Sequence, residues 1–448
     1  MRIAMIGTGY VGLVSGACLA DFGHHVACVD KDDNKIQTLR RGEIPIHEPG
    51  LHDVVRRNIE EARLTFTADL RGTVAGAEAV FIAVGTPSRR GDGHADLSYV
   101  YEAAREIAAA LDGFTVVIVK STVPVGTGDE VDRILKEAAP GKDAVVASNP
   151  EFLREGNAVH DFKHPDRIVV GANDARARDV VAEIYRPLSL NRAPIFYTSR
   201  RNAELIKYAA NAFLATKITF INEIADLCEK VGGDVQEIAR GIGLDNRIGS
   251  KFLHAGPGFG GSCFPKDIRA LIKTAQDYEV PLRILEAVTS VNDTRKRAMA
   301  RKVAAMFTDG LRGKTIAVLG LSIKPNTDDM REAPSIPLIT ALQDMGARVR
   351  VFDPAGMEQA KAELENVTYG ESAYACAEGA DALVITTEWE QFRALDLKQL
   401  KKIMKRPIIV DLRNIYPFDE ISRAGFDYAC VGRPPGPRAR SGADRRRK

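Results

Sequence analysis

A glycine-rich loop just past the middle of the chain offers one thiol beside a hydroxyl and a Lys–Asp pair. Residues 256–261 contain four glycines and a proline, a composition that cannot form the interior of a helix or strand. Ser262, Cys263, Lys266 and Asp267 follow. A bent loop ending in cysteine can bring a ligand to a nucleophile. The alternative is a hairpin whose cysteine is a small buried hydrophobic residue, because thiol reactivity depends on neighbours outside this stretch.

A long helix predicted over residues 202–231 carries two hydrogen-bond donors at helical spacing. Its apolar side chains recur with a period near 3.6: Ile206, Ala209, Ala210, Phe213, Leu214, Ile218, Ile221, Ile224, Ala225 and Cys228. Another face presents Glu204, Lys207, Asn211, Lys217 and Asn222. Lys207 and Asn211 are i, i+4 neighbours and project from the same side. From the helix alone, they are either solvated side chains or a convergent pair of donors.

The N-terminus has the pattern of a dinucleotide-binding unit. A buried strand over residues 2–6 is followed by a glycine motif and a helix, and the next strand ends on Asp30. The motif reads Gly7-Thr8-Gly9-Tyr10-Val11-Gly12. Such glycines let the backbone approach a pyrophosphate at a helix N-terminus, and the carboxylate can accept from both ribose hydroxyls. No arginine follows Asp30, which favours NAD over NADP, although Lys31 and Lys35 are close in sequence.

Further strands alternate with helices and place polar residues at their ends. Strands are predicted over residues 79–84, 115–119 and 144–147, with a helix over residues 99–111. This alternation predicts a parallel, doubly wound sheet whose ligand lies at the carboxyl ends of the strands. Thr86, Thr122 and Glu151 each follow such an end. Taken singly, each is equally typical of turn and cap chemistry.

A second α/β block follows the long helix. After the cysteine loop, one helix is predicted over residues 268–307, and the two long helices suggest a connecting region that forms a subunit interface. Strands are then predicted over residues 315–320, 348–353, 382–386 and 408–411. Only one glycine follows the first of these strands, so a ligand other than a dinucleotide is expected there. The predicted domains are a Rossmann domain (1–198), a helical linker (199–308), a second Rossmann-like domain (309–432) and a disordered basic tail (433–448).

Composition excludes several classes of protein. The 448 residues are 45% hydrophobic and 27% charged, as in a globular protein of two or three domains. The net charge of +2 is concentrated in the tail, whose net +6 leaves the remaining chain near −4, so no nucleic-acid-binding face is expected. No apolar run is long enough to span a membrane, and no His/Cys cluster suggests zinc. Six scattered cysteines and no apparent secretory leader predict a cytoplasmic protein with reduced thiols.

Together, eight ordered motifs over residues 1–432 resemble the UDP-glucose/GDP-mannose dehydrogenase family. Beside the N-terminal fingerprint and the cysteine loop, the motifs are Gly85-Thr86-Pro87, Ser121-Thr122-Val123-Pro124, Asn149-Pro150-Glu151-Phe152, Glu204-Leu205-Ile206-Lys207-Tyr208-x-x-Asn211, Lys324-Pro325-x-Thr327-x-Asp329-x-Arg331 and Asp411-x-Arg413-Asn414. The resemblance implies two Rossmann-like domains joined by a long central helix. It also implies an NAD-dependent enzyme that oxidises a sugar alcohol twice, to a carboxylate.

The resemblance assigns roles to individual residues. Cys263 would be the nucleophile that forms a thiohemiacetal and then a thioester, with Lys207 and Asn211 stabilising the oxyanion. Glu151 would be the base, Thr122 would position water, and Asp267 would assist thioester hydrolysis. The implied cofactor-binding residues are Gly7, Gly9, Tyr10, Val11, Gly12, Asp30, Lys35, Thr86, Thr122, Glu155, Lys266 and Arg331. The implied substrate-binding residues are Glu151, Phe152, Leu153, Glu155, Lys207, Asn211, Arg247, Phe252, Phe259, Gly260, Lys324 and Arg413.

The identity of the sugar nucleotide is the main open alternative. N-acetylmannosamine relatives tend to have histidine where this chain has Ser262, so the sequence around Cys263 favours UDP-glucose. GDP-mannose relatives have a similar loop and stay open, as does a catalytically silent binding protein, although every chemical position is filled. Arg247 matches a position that contacts substrate in a neighbouring subunit, so a homodimer is expected.

Overall fold

The computed structural model describes residues 1–89, 91–191 and 193–434, and the chain divides into two compact units. Unit 1 comprises residues 1–211 and 266–281, and unit 2 comprises 212–265 and the chain from residue 282 onward. Both units are therefore discontinuous in sequence. Most of the predicted basic tail, residues 435–448, lies outside the described residues. Arg433 is described, and its Nε donates to Asp234 Oδ2 at 2.7 Å in unit 2.

Unit 1 is built on one eight-stranded sheet. Its strands are β1 (Arg2–Ile6), β2 (His25–Val29), β3 (Leu64–Thr67), β4 (Ala79–Ile82), β5 (Thr115–Val119), β6 (Ala144–Ser148), β7 (Ile168–Ala172) and β8 (Ile195–Thr198). The spatial order is β3-β2-β1-β4-β5-β6-β7-β8. The predicted doubly wound sheet is confirmed, but β6 and β7 pair antiparallel, so the sheet is not wholly parallel.

Helices follow most strands of unit 1. They are α1 (Tyr10–Asp21), α2 (Asp33–Arg40), α3 (Leu51–Glu60), α4 (Leu70–Val74), α5 (Ser98–Ala110), α6 (Thr127–Ala138), α7 (Ala158–Lys163) and α8 (Ala175–Ile184), with a short 3₁₀ helix at Arg186–Asn191. The strands β1, β4 and β5 are almost entirely buried because apolar helix faces pack on both sides of the sheet. Their carboxyl ends therefore form one edge at which polar side chains collect.

The long helix α9 (Arg200–Val231) begins in unit 1 and continues into unit 2. The last residue of the helix that belongs to unit 1 is Asn211. Its polar residues are not a solvated face: Glu204, Lys207 and Asn211 are buried, whereas the apolar Phe213 is 65% exposed. The Glu204 carboxylate accepts from the amides of Gly126 and Gly128, both at 2.7 Å. These bonds fasten the start of α9 to the N-terminal end of α6.

Unit 2 contains a six-stranded, wholly parallel sheet in the order β11-β10-β9-β12-β13-β14. Its strands are β9 (Thr315–Leu319), β10 (Arg348–Phe352), β11 (Val367–Tyr369), β12 (Ala382–Ile385), β13 (Ile408–Asp411) and β14 (Asp427–Cys430). The helices after α9 are α10 (Val235–Gly243), α11 (Phe264–Asp277), α12 (Arg283–Ala304), α13 (Ser335–Asp344), α14 (Met357–Glu363), α15 (Ala373–Ala377), α16 (Glu390–Arg393), α17 (Leu397–Ile403) and α18 (Phe418–Ala424). Two Rossmann-like domains joined by a long helix are thus confirmed.

The single helix predicted over residues 268–307 is wrong, because the chain forms α11 and α12 with a break between them. Glu279 has a positive φ of 59°, and Pro281 cannot donate to a helical ladder and restricts the residue before it. The break divides the region between the units, since most of α11 belongs to unit 1 and α12 to unit 2. Within the described ranges, no helix combines the length and apolar character needed to cross a bilayer.

Unit 2 lacks an open acidic residue at the position equivalent to Asp30. Asp353, which follows β10, is buried and accepts from the Leu321 amide at 2.6 Å, the Ser322 amide at 3.0 Å and Trp389 Nε1 at 3.2 Å. The carboxylate is therefore used to hold the loop after β9. This agrees with the prediction that the second nucleotide fold has no dinucleotide site.

Candidate active site

The glycine loop after β1 leaves space on one side of the backbone. Gly7 has a φ of 100°, and a Cβ there would lie 2.6 Å from the Ala83 carbonyl oxygen. A Cβ on Gly12 would overlap the Gly7 carbonyl, whereas one on Gly9 would meet no atom within 4 Å. The first and last glycines are thus required by close packing, and Gly9 faces open space. This is the cradle that a pyrophosphate needs at the start of α1.

Asp30 is held as an ionised acceptor beside this loop. Its Oδ2 accepts from the Thr8 amide at 3.0 Å, from Thr8 Oγ1 at 2.6 Å and from Lys35 Nζ at 3.1 Å. Burial raises the pKa of Asp30, but these hydrogen bonds outweigh it and lower the pKa to about 2. Lys31 is directed elsewhere and pairs with Glu102. The residues therefore fit an NAD ribose, with Lys35 as a neighbour of the carboxylate.

Glu48 connects the dinucleotide loop to the segment after β6. Its carboxylate accepts from the Tyr10 hydroxyl, from the Gly156 amide at 2.6 Å and from the Ala158 amide at 2.8 Å. Tyr10, and next to it Val11, are half-buried at the start of α1. The predicted cofactor residue Glu155 precedes Gly156 directly, so this bridge brings the two predicted cofactor segments together.

Thr86 and Thr122 meet at the edge formed by β4 and β5. Thr86 Oγ1 donates to the Thr122 carbonyl oxygen at 2.9 Å, and Ser121 Oγ donates to the Val84 carbonyl oxygen at 2.7 Å. These bonds join the loops that follow the two strands. Thr86 therefore does stabilise a loop, as the turn interpretation expects. The loop lies at the sheet edge where a bound ligand is also expected.

Glu151 and Lys207 form a buried ion pair in unit 1. Lys207 Nζ lies 3.0 Å from Glu151 Oε1, and each side chain is only 4% exposed. The other carboxylate oxygen accepts from the Leu153 amide at 2.6 Å. Burial raises the pKa of Glu151, but Lys207, the Leu153 amide and Lys120 together bring it below its ordinary value. Glu151 is therefore ionised at neutral pH and able to accept a proton.

Asn211 is one helical turn beyond Lys207 and contacts Asp267. Asn211 Nδ2 donates to Asp267 Oδ2 at 2.7 Å, and Lys266 Nζ donates to Asp267 Oδ1 at 2.7 Å. Asp267 is 1% exposed, so the carboxylate is buried with an amide and an ammonium as partners. Four of the predicted catalytic residues, two on α9 and two facing them, are thus brought into pairs within unit 1.

The Phe152 ring lies close to two cations. The Arg167 guanidinium stacks on its ring at 3.8 Å from the centroid, and Lys207 Nζ lies 5.3 Å from the same centroid. Such contacts favour a fixed ring orientation and stabilise the cations. Sequence reasoning missed Arg167, because an arginine before a strand has no distinguishing local pattern. Leu153, the next predicted substrate residue, packs partly buried against the core of unit 1.

The cysteine loop belongs to unit 2 and is held by α12 and by the loop after β9. Asn292 accepts from the Phe259 amide at 2.8 Å and donates to its carbonyl at 3.0 Å. The Ser262 amide donates to Asp329 Oδ2 at 3.0 Å. A Cβ on Gly260 would overlap the Glu332 carbonyl, so the backbone lies tight against its neighbour. The hairpin alternative is not observed: Cys263 is half-buried and directly precedes α11, and the other five cysteines are buried.

The other predicted substrate residues of unit 2 have defined positions. Phe252 and Phe259 both pack against the Phe264 ring, with centroid distances of 6.3 and 5.9 Å. Arg413 donates to the Thr386 carbonyl oxygen at 2.8 Å. It also lines a cleft of about 340 Å³ in unit 2, whose polar lining includes Arg240, Ser250, His254 and Asn414.

Three cations predicted to bind ligands differ in exposure. Arg331 is 63% exposed and paired with Asp329 at 2.7 Å within unit 2. Lys324 is half-buried. Arg247 is 89% exposed and paired with Asp245 at 2.6 Å, in a loop whose carbonyls accept from Lys217. Arg247 is thus the most exposed of the three side chains.

Lys120 is a second site residue that sequence reasoning missed. It follows β5 directly and is 4% exposed. Its Nζ lies 3.2 Å from Asn149 Oδ1 and 3.4 Å from the Tyr185 hydroxyl. Burial lowers the pKa of Lys120 to about 8, against an attraction to Glu151 that raises it. The available signal was a lone lysine at the end of a wholly buried strand, Thr115–Val119, in which four of the five residues are valine or isoleucine.

A Lys120→Met variant is expected to change the pH dependence of stability. Between pH 8 and the ordinary lysine pKa of 10.5, the unfolded chain keeps a proton on Lys120 that the folded protein has released. The wild type therefore gains about 1.4 kcal/mol per pH unit relative to the variant across this window, and below pH 8 it carries the full cost of about 3 kcal/mol. Urea denaturation followed by circular dichroism at pH 7 to 10 measures the difference. A difference that does not vary with pH would contradict the expectation.

Family models match most of the chain in three consecutive segments. They are the NAD binding domain (residues 1–189), the central domain (201–294) and the UDP binding domain (317–418) of the UDP-glucose/GDP-mannose dehydrogenase family. The first contains the glycine loop and Asp30. The third contains Asp353, whose carboxylate accepts hydrogen bonds from within unit 2. This is consistent with a ligand other than a dinucleotide.

Similar proteins cover the chain almost end to end. A UDP-glucose 6-dehydrogenase of Rhizobium meliloti (strain 1021) is 65% identical over 436 residues, which is 97% of this chain and 100% of the relative. The structure of a UDP-glucose dehydrogenase from Pyrobaculum islandicum is 40% identical with a TM-score of 0.87, covering 95% of this chain and 96% of that one. A UDP-D-ManNAc dehydrogenase structure from Pyrococcus horikoshii is 28% identical with a TM-score of 0.83, covering 97% and 99%. The resemblance is confirmed: this chain belongs to the UDP-glucose/GDP-mannose dehydrogenase family and is an NAD-dependent dehydrogenase.

Proposed function

We propose that the protein oxidises the C6 alcohol of UDP-glucose to the carboxylate of UDP-glucuronate. The observation that supports this most directly is the buried set of Glu151, Lys207, Asn211 and Asp267, which supplies an ionised base, a cation and an amide donor in one unit. The relative at 65% identity is named UDP-glucose 6-dehydrogenase. A binding protein without catalysis would not need two buried carboxylates with polar partners, because burying charge is costly.

The protein's groups act at two oxidation levels of the same carbon. NAD, when bound, accepts one hydride in each oxidation, so that the alcohol, two NAD⁺ and water become the carboxylate, two NADH and three protons. Glu151 accepts the alcohol proton, directly or through a water positioned by Thr122. The Cys263 thiolate adds to the aldehyde carbon, and a C–S bond forms as the carbonyl oxygen gains negative charge. Lys207 and Asn211 stabilise this oxyanion.

The second half of the reaction releases the acid from the cysteine. Oxidation of the thiohemiacetal leaves a thioester on Cys263, and water cleaves the C–S bond to return the thiolate. Asp267 assists by orienting or deprotonating that water, and its own position is fixed by Asn211 and Lys266. Because Asn211 contacts Asp267, the same amide serves the oxyanion and the carboxylate.

Binding groups are proposed from both units. In unit 1, Asp30 binds the NAD ribose, and the glycine loop with Thr86, Glu155 and Lys266 contacts the rest of the cofactor. Arg331 of unit 2 is proposed for the pyrophosphate. The sugar nucleotide is held by Phe152, Leu153, Phe252, Phe259, Gly260, Lys324 and Arg413.

Counting NADH against sugar tests the function and the substrate together. The protein is incubated separately with UDP-glucose, GDP-mannose and UDP-N-acetylmannosamine, and NADH is measured per sugar consumed. We expect two NADH per UDP-glucose and no comparable turnover with the other two. One NADH per sugar would contradict the twofold oxidation. Turnover of GDP-mannose or the N-acetyl sugar alone would replace UDP-glucose as the substrate.

We also propose that the protein is a homodimer and that its reduced cysteines reflect a cytoplasmic location. In unit 2, α9 exposes Phe213, Phe220, Leu227 and Val231 at intervals of seven or four residues, an apolar stripe typical of a helix interface. Arg247 lies on a loop bonded to the same helix through Lys217. A partner that covers the stripe would also receive this arginine.

Phe220→Glu is expected to disrupt the dimer, because it would bury a charge in an apolar interface. Sedimentation equilibrium should show the mass falling from twice the chain mass of 48.8 kDa to a single chain. Tyr99→Glu is the control, since Tyr99 is a similarly exposed aromatic on α5 in unit 1. Loss of the dimer in both variants, or in neither, would contradict the assignment of this stripe.

A further inference from the structure

We propose that Lys120 is a positioning residue for the base, acting through a buried Lys120–Asn149–Tyr185 network that holds the Glu151 carboxylate in place. The inference rests on the proposed role of Glu151 and goes beyond it, since it assigns a function to three residues that contact neither substrate nor cofactor in the scheme above. The network lies wholly within unit 1.

The network joins the ends of neighbouring strands. Lys120 follows β5, and Asn149 follows β6 and stands two residues before Glu151. Asn149 Oδ1 receives the Tyr185 hydroxyl at 2.6 Å and Lys120 Nζ at 3.2 Å, while its Nδ2 donates to the Val169 carbonyl of β7 at 2.8 Å. The Lys120 ammonium also lies 3.4 Å from the Asn149 carbonyl oxygen. The ends of β5 and β6 and the second residue of β7 are thus linked through Asn149, which begins the Asn149-Pro150-Glu151 segment.

The same lysine connects the two catalytic loops. It directly precedes Ser121 and Thr122, so the segment proposed to position water and the segment that carries the base share one buried anchor. Two aromatic rings lie beside the buried Lys120 ammonium: its Nζ lies 5.8 Å from the Phe162 centroid and 6.0 Å from that of Tyr185. These rings keep water from replacing the network's hydrogen bonds.

Lys120 also helps to lower the pKa of the base, Glu151. Glu151 faces Lys207 on α9 and Lys120 at the end of β5, while Arg167 before β7 reaches the neighbouring Phe152 ring. The two ammonium groups repel each other, and the Glu151 carboxylate attracts both. The direct hydrogen-bond partners of the Lys120 ammonium, Asn149 and Tyr185, are neutral, so its burial is unfavourable for stability, and an apolar residue of similar length would be preferred if packing were the only requirement.

The test compares Lys120→Met and Lys120→Gln with wild type in steady-state kinetics across pH. For Lys120→Met we expect kcat to fall about 30-fold, with KM for sugar nucleotide and NAD changing less than about threefold. The acidic limb of the kcat profile should move up by about one pH unit, because Glu151 loses an attracting cation. Lys120→Gln keeps an amide donor without the charge, so the limb should stay shifted while kcat partly recovers.

Tyr185→Phe is the matched control for charge. It removes the hydroxyl that contacts Asn149 but keeps the ammonium, so kcat should fall about fivefold with the acidic limb unmoved. A Lys120→Met enzyme with a kcat within twofold of wild type and an unshifted limb would overturn the proposal. So would equal loss in all three variants with unchanged pH profiles, which is the result of a merely structural role.

Two further arms keep the result decisive. If neither Lys120 variant can be purified folded, Tyr185→Phe decides alone, and an unchanged kcat in it would refute the positioning role. Wild-type NADH stoichiometry is measured first, and the variants are compared on whichever sugar nucleotide the wild type oxidises. Failure of the proposed function would therefore appear in the wild type, and failure of the Lys120 inference only in the variants.

Discussion

A Cys263→Ser variant is expected to lose overall turnover by at least about a thousandfold while still binding sugar nucleotide and NAD. The serine hydroxyl is a far weaker nucleophile than a thiolate, and no neighbouring base is assigned to activate it. Any first-turnover product should be retained on the protein as a hemiacetal or ester. Absorbance of NADH gives the rate, and the mass of the denatured protein after one turnover shows the adduct.

A neighbouring substitution and thiol labelling serve as controls for the Cys263→Ser variant. Ser262→Ala alters the adjacent side chain, whose Oγ lies 3.4 Å from Cys263 Sγ, but keeps the thiol, so most turnover should survive. Iodoacetamide should inactivate the wild type after labelling a single cysteine, because the other five are buried. Unimpaired steady-state turnover of Cys263→Ser would refute the thioester mechanism.

Lys207→Met should lower both stability and turnover, and a second substitution should separate the two effects. Removing the ammonium leaves the buried Glu151 carboxylate without its ion-pair partner, which costs about 3 kcal/mol. Adding Glu151→Gln removes the buried charge, so the double variant should regain about 2 kcal/mol of unfolding free energy. Turnover should nonetheless stay at least about 100-fold below wild type, because neither the base nor the oxyanion donor is restored.

Urea denaturation and steady-state kinetics on the two single variants and the double variant provide this comparison. Lys230→Met is the control on the same helix, since Lys230 is exposed and should affect neither quantity strongly. A double variant that regains turnover together with stability would show that the ion pair only supports the fold.

The fold was predictable where strands are uniformly apolar. β1, β4, β5, β9 and β12 were predicted near their observed bounds, because burial on both faces gives a continuous hydrophobic run. The edge strands β3 and β8 were missed since they are short, partly exposed and bounded by no distinctive turn. β7 is apolar and was also overlooked. Its antiparallel pairing with β6 depends on the path of the intervening chain, which local pattern does not specify.

Local sequence specified the site's residue types, but not their partners. The i, i+4 spacing of Lys207 and Asn211 predicted a shared direction, yet their contacts with Glu151 and Asp267 each span 56 residues of sequence. Lys120 and Arg167 were missed for the same reason. Each is a single basic residue beside a strand, and its role is indicated only by its contact, that of Lys120 with Asn149 and that of Arg167 with Phe152. The apolar periodicity of α9 also gave the wrong buried face, because Phe213 is exposed and Glu204 is buried. Glu204 is buried because it accepts hydrogen bonds from the Gly126 and Gly128 amides, which the sequence pattern of the helix does not reveal.

The discontinuity of unit 1 has a consequence during synthesis on the ribosome. Residues 1–211 emerge first, but the strand-and-helix unit they form lacks residues 266–281 until the intervening part of unit 2 has been made. The nascent chain can therefore build the dinucleotide cradle and the Lys207–Glu151 pair well before Asp267 arrives to meet Asn211. The Cys263 thiol, made only three residues before that last segment begins, would thus be produced almost together with Asp267, the acid proposed to assist release of its product.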